Sequence, residues 1–327
     1  MIPRWTIPVL LSLSTTIPAT AMGMASAELY RTQAYTYGRF EARVRHAPGD
    51  GVVSAFFLWK DGSEVSGAYW NELDIEKFGA DCRMQTNARY GTGAANHSEI
   101  STMGGNNCGE YHDYLIEWTP DYIAWAVDGS EFRRDTGDTA TAFSQNASAG
   151  MTIHFNIWPG NSSFGGNISN TALPVHEYVS WVQYSSYDAG NFQVQWREEF
   201  QDSGLPAGWA VGNWASAYNL STHSPQNVSF VDGIAVLSLT TDSATGDPGT
   251  PPPDDGTSGA SGGAGGATKA TGGSSGGSGS SGGCSMVPRA RGAGPALLVI
   301  LAVLAWLSVL GCARRNRFST DPRQRSH

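Results

Sequence analysis

The chain has 327 residues, a formal net charge of −9 and a sequence pI of about 5.2. This acidity argues against nucleic acid as a partner, because binding to phosphates needs a basic surface. The length is enough for one to three domains.

Residues 1–27 have the composition of a secretory signal peptide. Arg4 gives a charged start, an apolar run begins at Ile7, and Ala25-Ser26-Ala27 is a small-residue cleavage motif. The alternative is a buried N-terminal strand. Cleavage after Ala27 predicts an exported chain whose mature part starts at Glu28.

Residues 28–242 consist of short runs rich in Val, Ile, Thr and aromatic residues, separated by Gly, Asp-Gly and Pro. This pattern is typical of strands and turns, and it contains almost no amphipathic helix. Asp128-Gly129 supplies the positive φ angles of a tight hairpin turn. We therefore predict an all-β fold, a β-sandwich or a barrel, with a substantial core.

The folded block contains two cysteines, Cys82 and Cys108, whereas Cys284 and Cys312 lie in the C-terminal tail. Cysteines of an exported protein are more often paired than free. We expect a Cys82–Cys108 disulfide; the alternative is two separately buried thiols.

Residues 69–79, YWNELDIEKFG, place three acids on one strand. Alternate residues of a strand share a face, so Glu72, Asp74 and Glu76 point one way and the intervening apolar residues point into the core. The Cα atoms of the two glutamates would lie about 13 Å apart. A retaining glycosidase needs its carboxyl groups about 5–5.5 Å apart, and two glutamates leaning toward each other on a concave face could close that gap.

Crowded carboxylates repel one another, so at least one pKa in this row should rise. A protonated general acid beside an ionised nucleophile is what glycoside cleavage requires. The alternatives for the row are a solvated acidic face and a calcium site.

Aromatic and polar residues on nearby runs favour a carbohydrate site. Tryptophan rings stack on the apolar faces of sugars, although core packing is the alternative for each tryptophan, and amide or guanidinium groups could bind hydroxyls. The candidates are Trp59, Trp70, Asn87, Arg89, Asn156 and Trp158.

The E-x-D-x-E spacing, followed by Phe-Gly and preceded by Trp70, resembles the active-site strand of glycoside hydrolase family 16, nearest its licheninase branch. Further pieces agree in order over residues 28–187: YGRFEARVR, GVVSAFFLW, QTNARY, ANH, YHDYLIEWTPDYIAWAVDG, FNIWPG and EYVSWVQY. The resemblance implies a jelly-roll, concanavalin-like β-sandwich with a concave substrate cleft.

The resemblance also implies roles: Glu72 as nucleophile, Glu76 as acid/base, and Asp74 as the group that tunes both. The positions that contact sugar in the family are Trp70, Asn87, Asn156, Trp158 and Arg31. Arg89 stands where licheninases have a tyrosine. Ser180 replaces an aspartate that binds structural calcium in many relatives, so we expect no calcium and no other cofactor.

The order of the pieces differs from that of the family. Family members open with strands that this chain lacks at its start, and residues 196–240 carry a matching pattern. We interpret this as a circular permutation, with residues 28–190 as the catalytic part and 191–242 as the transferred opening strands. The join would be the loop at residues 187–191. The alternative is a truncated hydrolase followed by an unrelated small β module.

Residues 243–283 are rich in Gly, Ser and Pro, which is typical of a flexible linker. The segment 284–327 contains an apolar run at 293–313, long enough to span a bilayer, and then an arginine cluster. This charge bias predicts a cytoplasmic C-terminus and an external folded part. Residues 283–317 resemble myxobacterial C-terminal sorting tails, which implies surface anchoring or release after cleavage near Cys284.

The sequence thus predicts an endo-acting, retaining glycosidase that cleaves a β-glucan, with mixed-linkage β-1,3-1,4-glucan favoured. A transglycosylase with the same residues and a non-catalytic glycan-binding surface protein are the alternatives. The expected partners are a polysaccharide and, through the C-terminal span, a membrane; we expect a monomer.

Overall fold

The computed structural model describes residues 23–102, 108–241, 246 and 251–256. Sixteen strands and one α-helix, α1 (Asp138–Gln145), lie in this part of the chain. The strands are β1 (Met24–Arg31), β2 (Gly38–Arg45), β3 (Val52–Trp59), β4 (Tyr69–Phe78), β5 (Met84–Thr92), β6 (Asn96–Thr102), β7 (His112–Trp118), β8 (Tyr122–Val127), β9 (Ser130–Thr136), β10 (Thr152–Pro159), β11 (Val175–Asp188), β12 (Asn191–Glu198), β13 (Trp209–Val211), β14 (Thr222–His223), β15 (Val228–Val231) and β16 (Ile234–Thr241).

The strands form a curled sheet with the order β6-β5-β4-β3-β10-β1-β16-β11-β2-β7-β8-β9. We call the half from β6 to β1 the cleft sheet and the half from β16 to β9 the back sheet. The two halves face each other, since the indole of Trp125 in β8 donates a hydrogen bond to the carbonyl of Asp74 in β4 at 3.2 Å. The predicted all-β jelly roll is therefore confirmed.

The core lies between the two sheets, and strands β2 and β4 show how alternation of apolar and polar residues places it there. In β2, Phe40, Ala42 and Val44 are fully buried while the residues between them are partly exposed. In β4 the same alternation buries Leu73 and Ile75. A shift of one residue would turn every apolar side chain outward, so burial fixes the register. The acids of β4 consequently lie on the face of the cleft sheet that points away from the core.

The predicted disulfide is present. Cys82, in the turn after β4, is bonded to Cys108, just before β7, and their Cα atoms are 5.3 Å apart. The bond therefore joins an end of the strand that carries the acids to the back sheet.

Strand β1 begins earlier than the predicted signal-peptide boundary. Ala27 is fully buried and pairs with Ile157, and the hydroxyl of Ser26 is hydrogen-bonded to His223 at 3.0 Å. The fold therefore begins before the boundary predicted at Ala27. The leader as far as residue 22 lies outside the described residues.

The chain also stays in contact with the fold beyond the predicted end at residue 242. Gly246 accepts a hydrogen bond from the buried hydroxyl of Ser238 at 2.6 Å. We call residues 251–256, PPPDDG, the docked segment. The guanidinium of Arg43 in β2 donates two hydrogen bonds to the carbonyl of Asp255, at 3.0 and 2.8 Å.

Two further contacts hold the docked segment on the outward face of the back sheet. The hydroxyl of Tyr111 donates to the carbonyl of Pro253 at 3.2 Å. The hydroxyl of Ser180 in β11 donates to the carboxylate of Asp255. The first residues of the predicted linker therefore belong to the fold.

No helix of the described residues is long and apolar enough to cross a membrane. The predicted span at 293–313, the sorting tail and most of the predicted linker lie outside those residues.

Candidate active site

Strand β4 lies between β3 and β5 in the cleft sheet, and this position surrounds each acid with side chains of both neighbours. The register fixes three rows across the sheet: Trp59–Glu72–Arg89, Phe57–Asp74–Asn87 and Ala55–Glu76–Gln85. Paired residues of adjacent strands share a face, so all three rows point away from the core.

A cavity of about 560 Å³ lies over these rows. Most of the residues predicted for the site line it, including the three acids. The lining consists of Ala55, Phe57, Glu72, Asp74, Glu76, Gln85, Asn87, Arg89, His97, Asn156, Trp158, Phe164, Ala217 and Tyr218. The cavity therefore follows β4, with the acids at its centre.

Glu72 is held by two donors. The indole of Trp70 donates to Oε2 of Glu72 at 2.7 Å, and a guanidinium nitrogen of Arg89 lies 3.4 Å from the same oxygen. Burial raises the pKa of Glu72 above its ordinary value, and Arg89 and Trp70 partly oppose that shift. Both donors favour the ionised carboxylate and fix its direction, as a nucleophile requires.

Glu76 is held through an oriented amide. Asn87 donates from Nδ2 to Oε2 of Glu76 at 2.8 Å. The carbonyl oxygen of Asn87 accepts hydrogen bonds from Gln85 at 3.1 Å and from the ring of His97 at 3.0 Å. Because that oxygen only accepts, both donors direct the NH₂ group of Asn87 toward Glu76.

Asp74 differs from its two neighbours. It is 5% exposed, and its Oδ1 has no hydrogen-bond partner among the described residues. Burial raises the pKa of Asp74 well above its ordinary value, and the charges of Glu72 and Glu76 raise it further. The row therefore favours a proton on its central acid, as expected for crowded carboxylates.

Tryptophans stand at both ends of the acidic row. At the Glu72 end, the rings of Trp59 and Trp70 meet edge to face at 5.0 Å, and neither ring lines the cavity. At the Glu76 end, Trp158 lines the cavity but is only 5% exposed, because Phe164 stacks on it at 5.8 Å. Trp158 therefore offers little ring surface to a ligand.

Arg31 does not lie in the cavity, contrary to the prediction. Its guanidinium lies over the rings of Trp196 and Trp209, at 4.8 and 5.7 Å, and donates to the carbonyl of Ala207 at 2.9 Å. The reason is alternation in β1: Arg31 shares a face with the core residue Leu29.

Sequence reasoning missed a buried polar cluster on the cleft sheet. Oε1 of Glu28 lies 2.8 Å from Nδ1 of His154, and Oε2 lies 3.2 Å from Nε2 of His223. Burial by itself would raise the pKa of Glu28, but the hydrogen bond from His154 and the charges of both histidines bring it below its ordinary value. Only the fold brings these residues together.

Several residues of the cavity wall were also missed. Phe57 and Gln85 could have been found, because they lie on the same face as the acids in the adjacent strands. His97 lies in a motif of the family resemblance but was given no role. Tyr218 and Ala217 reach the cavity from the C-terminal part of the fold, and no local signal marks them.

No group of three or more His, Cys, Asp or Glu residues in the described part of the chain is placed to hold a metal ion.

Comparisons with known proteins find relatives of this chain. The β-glucanase of Fibrobacter succinogenes is 31% identical over 239 residues, which is 69% of this chain and 66% of that protein. The β-glucanase of Bacillus amyloliquefaciens is 32% identical over 154 residues, or 46% of this chain and 60% of that protein. The chain thus spans less than two thirds of the length of these two relatives.

Among solved structures, the β-glucanase of Bacillus licheniformis is 26% identical, with a TM-score of 0.41 over 50% of this chain and 78% of that one. The family model described as glycosyl hydrolases family 16 matches residues 10–198, more than half of the chain and all of the acidic row. The chain therefore belongs to glycosyl hydrolase family 16.

Proposed function

We propose that this protein is an endo-acting β-glucanase that cleaves glycosidic bonds with retention of configuration. The observation that carries the proposal is the row of Glu72, Asp74 and Glu76 at the centre of an elongated cavity. Glu72 attacks the anomeric carbon while Glu76 protonates the leaving oxygen, which gives a covalent glycosyl-enzyme. Glu76 then removes a proton from water, which attacks the same carbon and releases Glu72.

The surroundings of each acid support this division of roles. Trp70 and Arg89 stabilise a negative charge on Glu72. The raised pKa of Asp74 favours its neutral form, so an ionised Glu72 does not face a second anion beside it while Glu76 carries the proton for the leaving oxygen. Asn87 fixes the carboxyl group of Glu76 at the other end of the row.

Two features support a polymeric β-glucan as the substrate. The cavity extends along β4 from the row of Glu72 past that of Glu76, which suits an internal cut in a long chain better than removal of a terminal sugar. The relatives reported above are β-glucanases, and the resemblance to the licheninase branch favours mixed-linkage β-1,3-1,4-glucan over chitin-linked glucan and xyloglucan.

The test is an assay of the full chain on mixed-linkage β-glucan, β-1,3-glucan and xyloglucan, with product sizes measured with and without an added oligosaccharide acceptor. We expect short oligosaccharides from the mixed-linkage polymer, with the β configuration retained in NMR spectra taken early in the reaction. Products longer than the donor fragments would assign transglycosylation instead.

Glu72→Gln should lower the rate on the order of 10⁴-fold or more. Glu64→Gln, which changes an exposed glutamate just before the same strand, is the matched control. Polymer cleavage by the Glu72→Gln variant would show that the catalytic assignment is wrong.

We also propose that the fold is a circular permutation. Residues 191–241 are integral to the sheet, because β16 is buried between β1 and β11. Met24 pairs with Thr241, so the two ends of the permuted fold are adjacent. A two-residue turn at Ala189-Gly190 connects β11 to β12, where the original ends would have been joined.

Truncation after residue 190 should unfold the protein, as seen in the circular dichroism spectrum. A rearranged chain with residues 191–241 placed before residue 24 should fold and remain active. A soluble, active fragment ending at residue 190 would contradict the permutation.

Finally, we propose that the protein is exported and held at the cell surface by residues 293–313. The leader-like N-terminus and the arginine cluster after the apolar run support this proposal. Fractionation should find the full chain in the membrane and a chain ending at residue 283 in the medium. Equal distribution of both chains would contradict it.

A further inference from the structure

The end of the cavity beyond Glu76 is formed by three aromatic rings. Tyr218 lies 6.0 Å from Trp158 and 6.1 Å from Phe164, measured between ring centroids. Trp158 is 5% exposed, whereas Tyr218 is 54% exposed. At this end of the site, Tyr218 therefore presents much more ring surface to a ligand than the tryptophan that the family resemblance assigned to sugar.

The backbone of Tyr218 is in an unfavourable conformation. Its φ and ψ are 59° and 7°, and the following Asn219 also has a positive φ of 55°. Residues other than glycine, asparagine and aspartate rarely adopt this left-handed region, because the side chain crowds the backbone. Strain of this kind persists where the surroundings hold it, and it concentrates at ligand sites.

A buried serine network holds the loop that carries Tyr218. The amide of Asn219 donates to the carbonyl of Ser216 at 3.0 Å. The hydroxyl of Ser221 lies 2.7 Å from that of Ser216 and 2.8 Å from that of Ser26 in β1. All three serines are buried, so the loop is fixed to the cleft sheet while the tyrosine ring stays in solvent.

We propose that Tyr218 is the sugar-stacking residue of an outer glucose-binding subsite beyond Glu76, and that it determines how many sugar units the enzyme holds on that side. This inference rests on the proposed β-glucanase function. An aromatic face matches the apolar face of a glucose ring, and a ring fixed in advance loses little conformational entropy on binding. Trp158 and Phe164 support the ring from behind.

The position of the ring determines which kinetic constant it controls. Tyr218 stands beyond the acidic row, next to Trp158 and Phe164, and takes no part in the bond-making steps of the proposed mechanism. Its contribution to binding is therefore made equally in the ground state and the transition state. Loss of the ring should raise KM and leave kcat nearly unchanged.

Three substitutions separate binding from folding. Tyr218→Ala should raise KM on mixed-linkage β-glucan about tenfold and shift the products toward different lengths. Tyr218→Phe, which keeps the ring, should restore KM. Tyr218→Gly should raise KM as Tyr218→Ala does, but with an unchanged or higher Tm, because glycine accepts the left-handed backbone.

Leu205→Ala is the matched control, because Leu205 is exposed, apolar and lies in the same C-terminal part but outside the cavity. It should leave KM and product lengths unchanged. If Tyr218 only served folding, both Tyr218→Ala and Tyr218→Gly would lower Tm, and KM would stay as it is. That result would overturn the inference.

A binding measurement keeps this inference separate from the proposed function. Mixed-linkage oligosaccharides are titrated against Glu72→Gln and against Glu72→Gln combined with Tyr218→Ala, with tryptophan fluorescence as the readout. About tenfold weaker binding by the double variant supports the subsite, even if the unmodified chain cleaves no glucan. Cleavage by the unmodified chain with equal binding by both variants overturns the subsite alone. Absence of both cleavage and binding overturns both proposals.

Discussion

Glu28 and Asp74 are two acids of the same sheet, each 5% exposed, and their pKa values shift in opposite directions. Glu28 lies between two histidine rings, which stabilise its negative charge. Asp74 lies between two other carboxylates and has an oxygen without a hydrogen-bond partner among the described residues. Burial penalises both charges, so the neighbours decide which acid stays ionised.

The difference separates a structural acid from a functional one. A carboxylate that is fully satisfied by its partners contributes to the fold and is unavailable for proton transfer. A carboxylate that is crowded by like charges is destabilised, and it can control the protonation of the groups beside it. The same strand-rich sheet thus contains both kinds of acid.

Among changes that bear on this comparison, the largest effect is expected for Asp74→Asn, which replaces the crowded acid with a neutral isostere. We expect kcat to fall about 10²-fold, since proton control within the row is lost. The folded-state pKa of Asp74 is raised, so its contribution to stability is complete below the unfolded pKa and is lost as pH rises through the folded pKa.

The variant should therefore be more stable than its parent at pH 7, by about 1 kcal/mol in urea unfolding, with no gain at strongly acidic pH. Asp61→Asn, at an exposed position, is the control. A loss of stability at pH 7 would contradict the assignment of Asp74 as a destabilised acid.

Glu28→Leu should instead destabilise the fold. Removal of the carboxylate leaves His154 and His223 buried without their acceptor, and we expect the free energy of unfolding to fall by about 3 kcal/mol. The folded-state pKa of Glu28 is lowered, so its contribution is present above the unfolded pKa and is lost as pH falls through the folded pKa. The difference between parent and variant should therefore shrink on acidification. A difference that grows at low pH would be inconsistent with a charge-stabilised Glu28.

Arg89→Met should make Glu72 more like Asp74, because it removes the positive charge that lowers the pKa of Glu72. In the proposed mechanism activity requires ionised Glu72, so the acidic limb of the pH profile of kcat/KM should move to higher pH. Arg89 is partly exposed, and salt should screen its charge. Added salt should consequently move the acidic limb of the parent's pH profile to higher pH, and should move that of the variant much less. An acidic limb at the same pH in Arg89→Met and in the parent would mean that Arg89 does not act on Glu72.

Trp70→Phe is expected to have the smallest effect. It keeps an aromatic ring but removes the hydrogen bond from the indole to Glu72. That hydrogen bond, like the charge of Arg89, lowers the pKa of Glu72. The acidic limb of kcat/KM should move to higher pH by less than in Arg89→Met. Because a hydrogen bond is not screened like a distant charge, this displacement should persist in high salt. A limb at lower pH would contradict the role of the indole.

The sequence was sufficient for the strand that carries the acids, because alternation alone puts Glu72, Asp74 and Glu76 on one face. The disulfide also followed from the sequence, since two cysteines in a chain expected to be exported are more often paired than free. These features depend on local pattern or on composition, which a sequence displays directly.

Other features depend on distant contacts. Glu28 and His223 are far apart in the chain, and Tyr218 reaches the cavity only because the C-terminal part packs beside β10. The burial of Trp158 depends on Phe164. The chain turns tightly after β10 and so brings the ring of Phe164 over that of Trp158. Arg31 is a different case. It is two residues from the apolar Leu29 in β1, so strand alternation alone places it on the core face, whereas the family resemblance assigned it to sugar binding.

The docked segment carries the last described residues of the chain. Arg43, Tyr111 and Ser180 hold it on the outward face of the back sheet, and the cavity opens on the outward face of the cleft sheet. The docked segment and the groove formed by the cavity are therefore on opposite sides of the sandwich. A long polysaccharide can therefore enter the groove without meeting the docked segment.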